Sequence, residues 1–280
     1  MASATTHATT AAPLAAELPA RRGKPWTVGP APYGIRNNAP TSRITDGRRA
    51  LIVVEEAGRV ELFADRPGMF PYTPDAVADS TDAVSVAALA ARALRWILPQ
   101  LDAHAMQEMA HNAIPDEKPW QWILRHKRAT LTELGFELVN HGAHPEVMAS
   151  TDGPGLEWTA DSGAVWGVWA YGTAANFVLT YEGPLSGLYG VLPVLLPPLD
   201  GQASTDAGSP FTRHLTGRFP QLRPVDADEV EFGGYQDLNG WIALPSRAEL
   251  GEHIHDGTRV CAQVGSVGVD FLLHAAPHLI

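Results

Sequence analysis

Three polar residues at helical spacing form the sharpest chemical pattern in this chain. His104, Glu108 and His111 stand at positions i, i+4 and i+7. Because successive residues of an α-helix turn by about 100°, the three side chains fall within a narrow wedge of one helix face. Two imidazoles and a carboxylate are ligands that transition metals accept. The spacing gives a candidate metal site, and the competing interpretation is the solvated flank of a helix that is buried through its other face.

Two further histidine patterns are weaker. The segments Glu108–His111 and Glu252–His255 both have the Glu-x-x-His form found in di-iron helical bundles. Such a bundle needs four long helices, and the sequence predicts only two or three. His253 and His255 alternate as they would on a strand, but no carboxylate follows them to complete a metal site. We infer no cofactor from these patterns.

Motifs for nucleophilic catalysis and phosphate binding do not occur in the sequence. It contains no Gly-x-Ser-x-Gly elbow and no P-loop or dinucleotide-binding glycine pattern. The single cysteine, Cys261, lies in an alternating apolar run, which predicts a buried and inert thiol. The basic run Arg125–Arg128 spreads around a helix instead of following one face, so we expect a solvated helix surface there.

Aromatic residues concentrate in one part of the chain. They are Trp158, Trp166, Trp169, Tyr171, Phe177 and Tyr181. In a strand over residues 165–171, Trp166 points to one side and Trp169 and Tyr171 to the other. If both sheet faces are covered, all of them form core, which is the interpretation that large aromatic side chains favour. If one face is open, Trp166, Trp169 and Tyr171 are the candidates for an apolar partner-binding surface.

Helices early in the chain and strands later must position these residues. We predict a hairpin over residues 50–64, helices over 80–112 and 117–134, and strands over 136–140, 156–159, 165–171, 177–181 and 259–264. Pro99 should kink the first helix or divide it in two, and Gly135 should end the second. This grouping predicts an α+β fold in which two main helices pack on an antiparallel, aromatic-rich sheet.

The chain of 280 residues is long enough to bury a large core, and 45% of its residues are hydrophobic. Residues 1–24 hold few large apolar side chains, so we expect a disordered tail there. Residues 25–280 are then expected to form a single α+β domain, with a subdivision near residues 135–150 as the alternative.

Charge and targeting signals limit the partners. The net charge of −11 argues against nucleic acid and against an anionic membrane surface. The sequence shows no secretion signal and no apolar run long enough to span a bilayer, and one cysteine implies no oxidising compartment. We therefore expect a cytoplasmic protein without a membrane partner.

Three functions stay open at this point. The lack of a dense polar constellation favours a non-catalytic binding or adaptor protein that uses an apolar aromatic surface for a protein partner or for self-association. A metal-dependent, hydrolase-like enzyme with dispersed His and Glu ligands is the second. The third is a self-assembling structural subunit, for which the apolar tract Leu185–Leu199 would be the interface.

Overall fold

The structure is a computed structural model that describes residues 8–36, 39–66, 68–111, 118–150, 153–171, 176–197, 208–234, 237–246 and 253–280. These residues form two antiparallel sheets and several helices, which confirms the predicted α+β class. The chain divides into two compact units, Met1–Gln107 and Glu108–Ile280. This boundary differs from the predicted subdivision near residues 135–150. It lies inside a helix, where composition gives no linker signal.

The first unit contains a five-stranded antiparallel meander in which neighbouring strands follow each other along the chain. Its strands are β1 (Thr27–Pro30), β2 (Thr41–Thr45), β3 (Ala50–Glu56), β4 (Arg59–Ala64) and β5 (Ala76–Ala78). Its helices are α1 (Ala11–Glu17), α2 (Ala83–Arg92) and the start of α3 (Leu98–His111). The predicted hairpin over residues 50–64 is confirmed as β3 and β4.

The long helical segment after β5 is continuous and is not divided at Pro99, and its irregular turn lies before the proline. A π-helical turn, Ala93–Ile97, joins α2 to α3, and Pro99 lies in the first turn of α3. A proline at this position has no N–H to donate to the preceding turn, and in a regular α-helix its ring crowds a carbonyl of that turn. The widened turn precedes the proline and keeps the segment helical.

Residues 8–24 differ from the predicted disordered tail, of which residues 1–7 lie outside the described residues. The leucines at an i, i+4 spacing, Leu14 and Leu18, are both buried. Glu55 accepts hydrogen bonds of 2.6 Å from the backbone N–H and the hydroxyl of Thr10 at the start of α1. Large apolar side chains are few in this segment, but its alanines let the helix approach its neighbours closely. The two leucines become buried in this way.

The second unit is built on an eight-stranded antiparallel sheet of order β10-β11-β12-β13-β9-β8-β7-β6. Its strands are β6 (Glu146–Ser150), β7 (Gly153–Thr159), β8 (Val165–Trp169), β9 (Phe177–Pro184), β10 (Arg223–Asp226), β11 (Glu229–Phe232), β12 (Asn239–Ala243) and β13 (Arg259–Val267). The four predicted strands near residues 156, 165, 177 and 259 are confirmed. The prediction did not find β6, β10, β11 or β12.

Five helices belong to the described part of this unit. They are α4 (Pro119–Asn140), α5 (Leu185–Tyr189), α6 (Leu192–Leu195), α7 (Pro210–Arg218) and α8 (Val269–Ala275). The predicted end of α4 at Gly135 and the predicted strand over residues 136–140 are wrong, because the helix continues to Asn140. A Cβ at Gly135 would lie 3.7 Å from a methyl group of Leu156, which is an ordinary van der Waals distance.

The two faces of the eight-stranded sheet differ in character. One face, the core face, carries a cross-strand row of buried residues: Val230, Ile242, Ala262, Tyr181, Trp166 and Trp158. Helix α4 packs on β7 and on α8. The leucines of the apolar tract from Leu185 to Leu196 are also buried, so they do not form the exposed interface predicted for a structural subunit.

No helix among the described residues is both long enough and apolar enough to cross a bilayer.

Candidate functional site

The opposite side of the eight-stranded sheet, here called the outer face, carries polar and aromatic residues in register. One cross-strand row runs through Arg223, Glu231, Trp241, Gln263, Thr180, Gly167 and Glu157. The residues of this row are half-buried or exposed except Gly167, which is buried. A sheet covered on one side only is expected to alternate in this way along each strand.

Trp169 lies flat on the outer face, over two glycines. A Cβ on its cross-strand partner Gly155 would lie 2.5 Å from the indole atom Cε3. A Cβ on Gly167 would lie 2.7 Å from the indole Nε1. The ring therefore occupies the space that two side chains would otherwise fill. Its N–H donates a hydrogen bond of 3.1 Å to the hydroxyl of Thr180 on the neighbouring strand, which fixes the rotation of the ring.

Tyr171 lies next to Trp169 with its ring in a parallel orientation. Its ring is nearly parallel to that of Trp169, with an interplanar angle of 9° and a centroid separation of 6.3 Å. Tyr171 is 38% exposed, and Trp169 is half-buried. We call the two rings the aromatic platform. An exposed aromatic ring with a fixed orientation is suited to stacking against a flat ligand.

Trp166 does not belong to this surface. It is 2% exposed and packs edge-on against Tyr181, with ring centroids 4.6 Å apart on the core face. The alternation of β8 thus places Trp166 opposite to Trp169 and Tyr171, as predicted. The candidate partner-binding set is corrected in one respect: Trp166 is core, because the helices cover the face to which it points.

A cavity of about 350 Å³ opens at the other end of the outer face. Its lining includes Arg223, Glu231, Asn239, Trp241, Gln263 and Gly265. Arg223 and Glu231 form an ion pair of 3.2 Å, and Arg223 also donates to the carbonyl oxygen of Gly233. A cavity of this size falls in the range of small-molecule sites.

Three neutral polar groups in this cavity have no partner among the described residues. They are the side-chain amides of Asn239 and Gln263 and the indole N–H of Trp241. The side chain of Asn239 lies over Gly265, where a Cβ would come within 2.7 Å of the amide oxygen. Each amide can both donate and accept a hydrogen bond, so the cavity offers several hydrogen-bonding positions to water or to a ligand.

The sequence prediction missed Trp241 and its cavity. A signal was present, because Val230 and Phe232 alternate with glutamates and are separated by Gly233 and Gly234 from the next short strand. The two strands have only four and five residues. Each offers too few alternating positions for a strand to be predicted from the sequence.

The predicted metal ligands His104, Glu108 and His111 all lie on α3. His104 is half-buried and Glu108 is exposed, while the side chain of His111 lies outside the described residues. Among the described residues no group of three or more His, Cys, Asp and Glu side chains converges to hold a metal ion. The three-residue metal site therefore stays a prediction.

The other predicted polar patterns lie apart from the outer-face cavity. His253 and His255 are exposed in an extended segment on either side of the buried Ile254, and Glu252 lies outside the described residues. The basic run on α4 is not wholly solvated as predicted, because Lys127 is 1% exposed. Cys261 is half-buried on the outer face.

A polar cluster that the sequence did not predict joins α5 to α7. The hydroxyl of Tyr189 lies 2.8 Å from Nε2 of His214, and the guanidinium of Arg218 stacks 3.8 Å from the centroid of the tyrosine ring. Burial and a hydrogen bond to the Asp256 carboxylate raise the pKa of Tyr189. The tyrosine therefore keeps its proton near neutral pH, and these contacts hold the two short helices together.

No protein-family model matches this sequence, and no curated protein and no solved structure shows a significant similarity to it.

Proposed function

We propose that this chain is a non-catalytic binding protein whose ligand lies on the outer face of the eight-stranded sheet. The observation that carries the proposal is the flat placement of Trp169 over Gly155 and Gly167. An indole that serves only to fill a core is packed on both sides, whereas this ring rests on backbone with one side and is half-buried overall.

The composition of the face supports binding more than catalysis. The unpartnered groups in the cavity are amides and an indole N–H, which donate and accept hydrogen bonds but do not transfer protons at neutral pH. The charged groups Arg223 and Glu231 neutralise each other. Recognition by shape and hydrogen bonding is the chemistry that these groups can supply.

A thermal-shift screen tests this proposal. Wild-type protein is compared with the double variant Trp169→Ala, Trp241→Ala across oligosaccharides, peptides, nucleotides and organic amines. Phe136→Ala is the matched control, because Phe136 is an exposed aromatic residue (68%) on α4 of the same unit. A ligand at 100 times its Kd should raise the melting temperature by roughly 5–10 °C.

The proposal requires that this shift occurs in the wild type and in the Phe136 variant and is absent in the double variant. Ligands that stabilise the double variant equally would bind elsewhere and would contradict it. A screen that yields no ligand dependent on Trp169 and Trp241 would also contradict it.

A further inference from the structure

We infer that the ligand of the outer face is a neutral, polyhydroxylated chain, that is, a glycan several sugar rings long. This inference rests on the proposed function and names the ligand class for the same site. Sugar rings present flat C–H faces that stack on aromatic rings and edges of hydroxyl groups that pair with planar amides and carboxylates. The outer face offers both kinds of group in one surface.

The separation of the two tryptophans fits an extended ligand. Trp241 on β12 and Trp169 on β8 are separated by β13 and β9 in the sheet order. With about 4.8 Å between neighbouring strands, the two residues lie roughly 14–16 Å apart. Gln263 and Thr180 lie on the two intervening strands in the row of Trp241, which meets β8 at Gly167, two residues before Trp169. A chain of linked sugar rings could contact the platform and the cavity at once, whereas a single sugar could reach only one of them.

The orientation of Trp169 favours stacking over insertion. Its ring is parallel to the sheet because Gly155 and Gly167 leave room beneath it, and the hydrogen bond from Nε1 to Thr180 prevents rotation. The parallel ring of Tyr171 continues the same orientation. Such a surface has no depth to enclose an apolar side chain of a peptide, but it matches the flat face of a sugar ring.

The bases of a nucleic acid are also flat and could stack on these rings, but the charges of the outer face disfavour a nucleic acid. Carboxylates outnumber guanidinium groups on the described outer face. The guanidinium groups belong to Arg223 and Arg259. The carboxylates belong to Glu146, Glu157, Glu182, Glu229 and Glu231. The whole chain carries a net charge of −11. A phosphate backbone would be repelled, and only a neutral or cationic ligand avoids this cost.

A protein partner is disfavoured by the polar residues between the aromatic rings. The centre of a protein interface is depleted in charged side chains. Glu157, Thr180 and Gln263 stand in the row of Trp241 and are all polar, while the direct cross-strand partner of Trp169 on β9 is the apolar Val178. Hydroxyl groups of a glycan would give these side chains partners that an apolar protein patch would not.

Electrophoresis in native gels containing neutral soluble polysaccharides tests the inference. Separate gels hold hydroxyethyl cellulose, xylan, galactomannan and soluble starch, and the samples are the wild type and Trp169→Ala, Trp241→Ala, Gln263→Leu and Phe136→Ala. We expect the wild type and the Phe136 variant to be retarded in at least one gel. The two tryptophan variants should lose at least 10-fold in affinity, and the Gln263 variant should lose less. Circular dichroism confirms that each variant is folded.

The outcomes separate the two proposals. Retardation lost in both tryptophan variants supports the glycan inference. If no gel retards the protein while the thermal-shift screen yields a peptide, nucleotide or amine dependent on the two tryptophans, the glycan inference is wrong and the binding function stands. If neither experiment yields such a ligand, both are wrong. Retardation that both tryptophan variants retain would place the sugar elsewhere and would overturn the inference.

Discussion

The Nζ atom of Lys127 donates a hydrogen bond of 2.7 Å to the carbonyl oxygen of Tyr171. The lysine belongs to α4, and the tyrosine lies two residues after the end of β8 and carries one ring of the aromatic platform. Lys127 thereby ties the helical layer to the end of the strand that positions this ring. Its side chain is 1% exposed, and burial lowers the pKa of the ammonium group to about 8.

This pKa makes the contribution of Lys127 to stability dependent on pH. In the unfolded chain the amine keeps its proton up to about pH 10.4, whereas in the folded chain it loses the proton near pH 8. Between these values the unfolded state binds more protons, so raising the pH favours the folded state. We expect the free energy of unfolding of the wild type, relative to Lys127→Met, to increase from pH 7 to pH 10.

Urea unfolding of both proteins at several pH values checks this prediction. The comparison with Lys127→Met cancels the titration of the other groups, which both proteins share. A difference in unfolding free energy that does not change between pH 7 and pH 10 would contradict the lowered pKa. Binding to the outer face should weaken in the methionine variant, because Tyr171 loses its hydrogen-bond donor.

Gly155→Ala should displace the indole of Trp169. The added methyl carbon would lie 2.5 Å from Cε3, a distance that forces the ring off the sheet. Overpacking of this kind costs about 1–3 kcal/mol of stability. Gly217→Ala on α7 is the matched control, because no atom lies within 4 Å of its added Cβ. It should stabilise the protein by about 0.5–1 kcal/mol through helix propensity.

Tryptophan fluorescence and thermal unfolding measure both variants. A Gly155→Ala protein as stable as the wild type, with an unchanged emission spectrum, would mean that the ring does not lie over the glycine.

Leu14→Ala should destabilise the protein by about 2–4 kcal/mol, because the leucine of α1 is fully buried. A disordered segment would show no effect. Ala12→Ser is the control on the same helix, since Ala12 is exposed. Chemical denaturation measures the free energy of unfolding of both variants. Equal stability of the two variants would show that α1 is not packed on the rest of its unit.

Asp102→Asn should lower the unfolding free energy by about 2–3 kcal/mol. One carboxylate oxygen of Asp102 accepts from Arg21 at 3.1 Å and from Arg49 at 3.4 Å, and the side chain of Arg49 is 5% exposed. Removing the negative charge weakens the hydrogen bonds of both arginines in a partly buried place.

The control for this experiment is Asp79→Asn, because Asp79 is exposed and should change stability by less than about 0.5 kcal/mol. Thermal unfolding at low and high salt gives the comparison. If the Asp102 and Asp79 variants unfold at the same temperature, the contacts of Asp102 with the two arginines do not stabilise the protein.

Local patterns were sufficient for the elements with strong periodicity. The β-branched run from Leu51 to Val54 predicted β3, and the alternation of residues 165–171 placed Trp166 opposite to Trp169. Both follow from the two-residue period of a strand, which each residue obeys without reference to the rest of the chain. The α+β class follows from the same local patterns.

Helix ends and the N-terminal helix were decided by packing. Glycine is a common helix terminator, yet α4, which packs on β7, passes through Gly135 and continues to Asn140. A short alanine-rich segment does not form a stable helix alone. The burial of Leu14 and Leu18 in the folded unit stabilises α1.

The candidate site was decided by the tertiary structure. Trp169 and Trp241 are 72 residues apart in the sequence, and only the strand order β12-β13-β9-β8 brings them to one face. The sequence determines on which side of its own strand each side chain projects. Which strands become neighbours, and which face the helices cover, depend on free energies of burial summed over the whole unit.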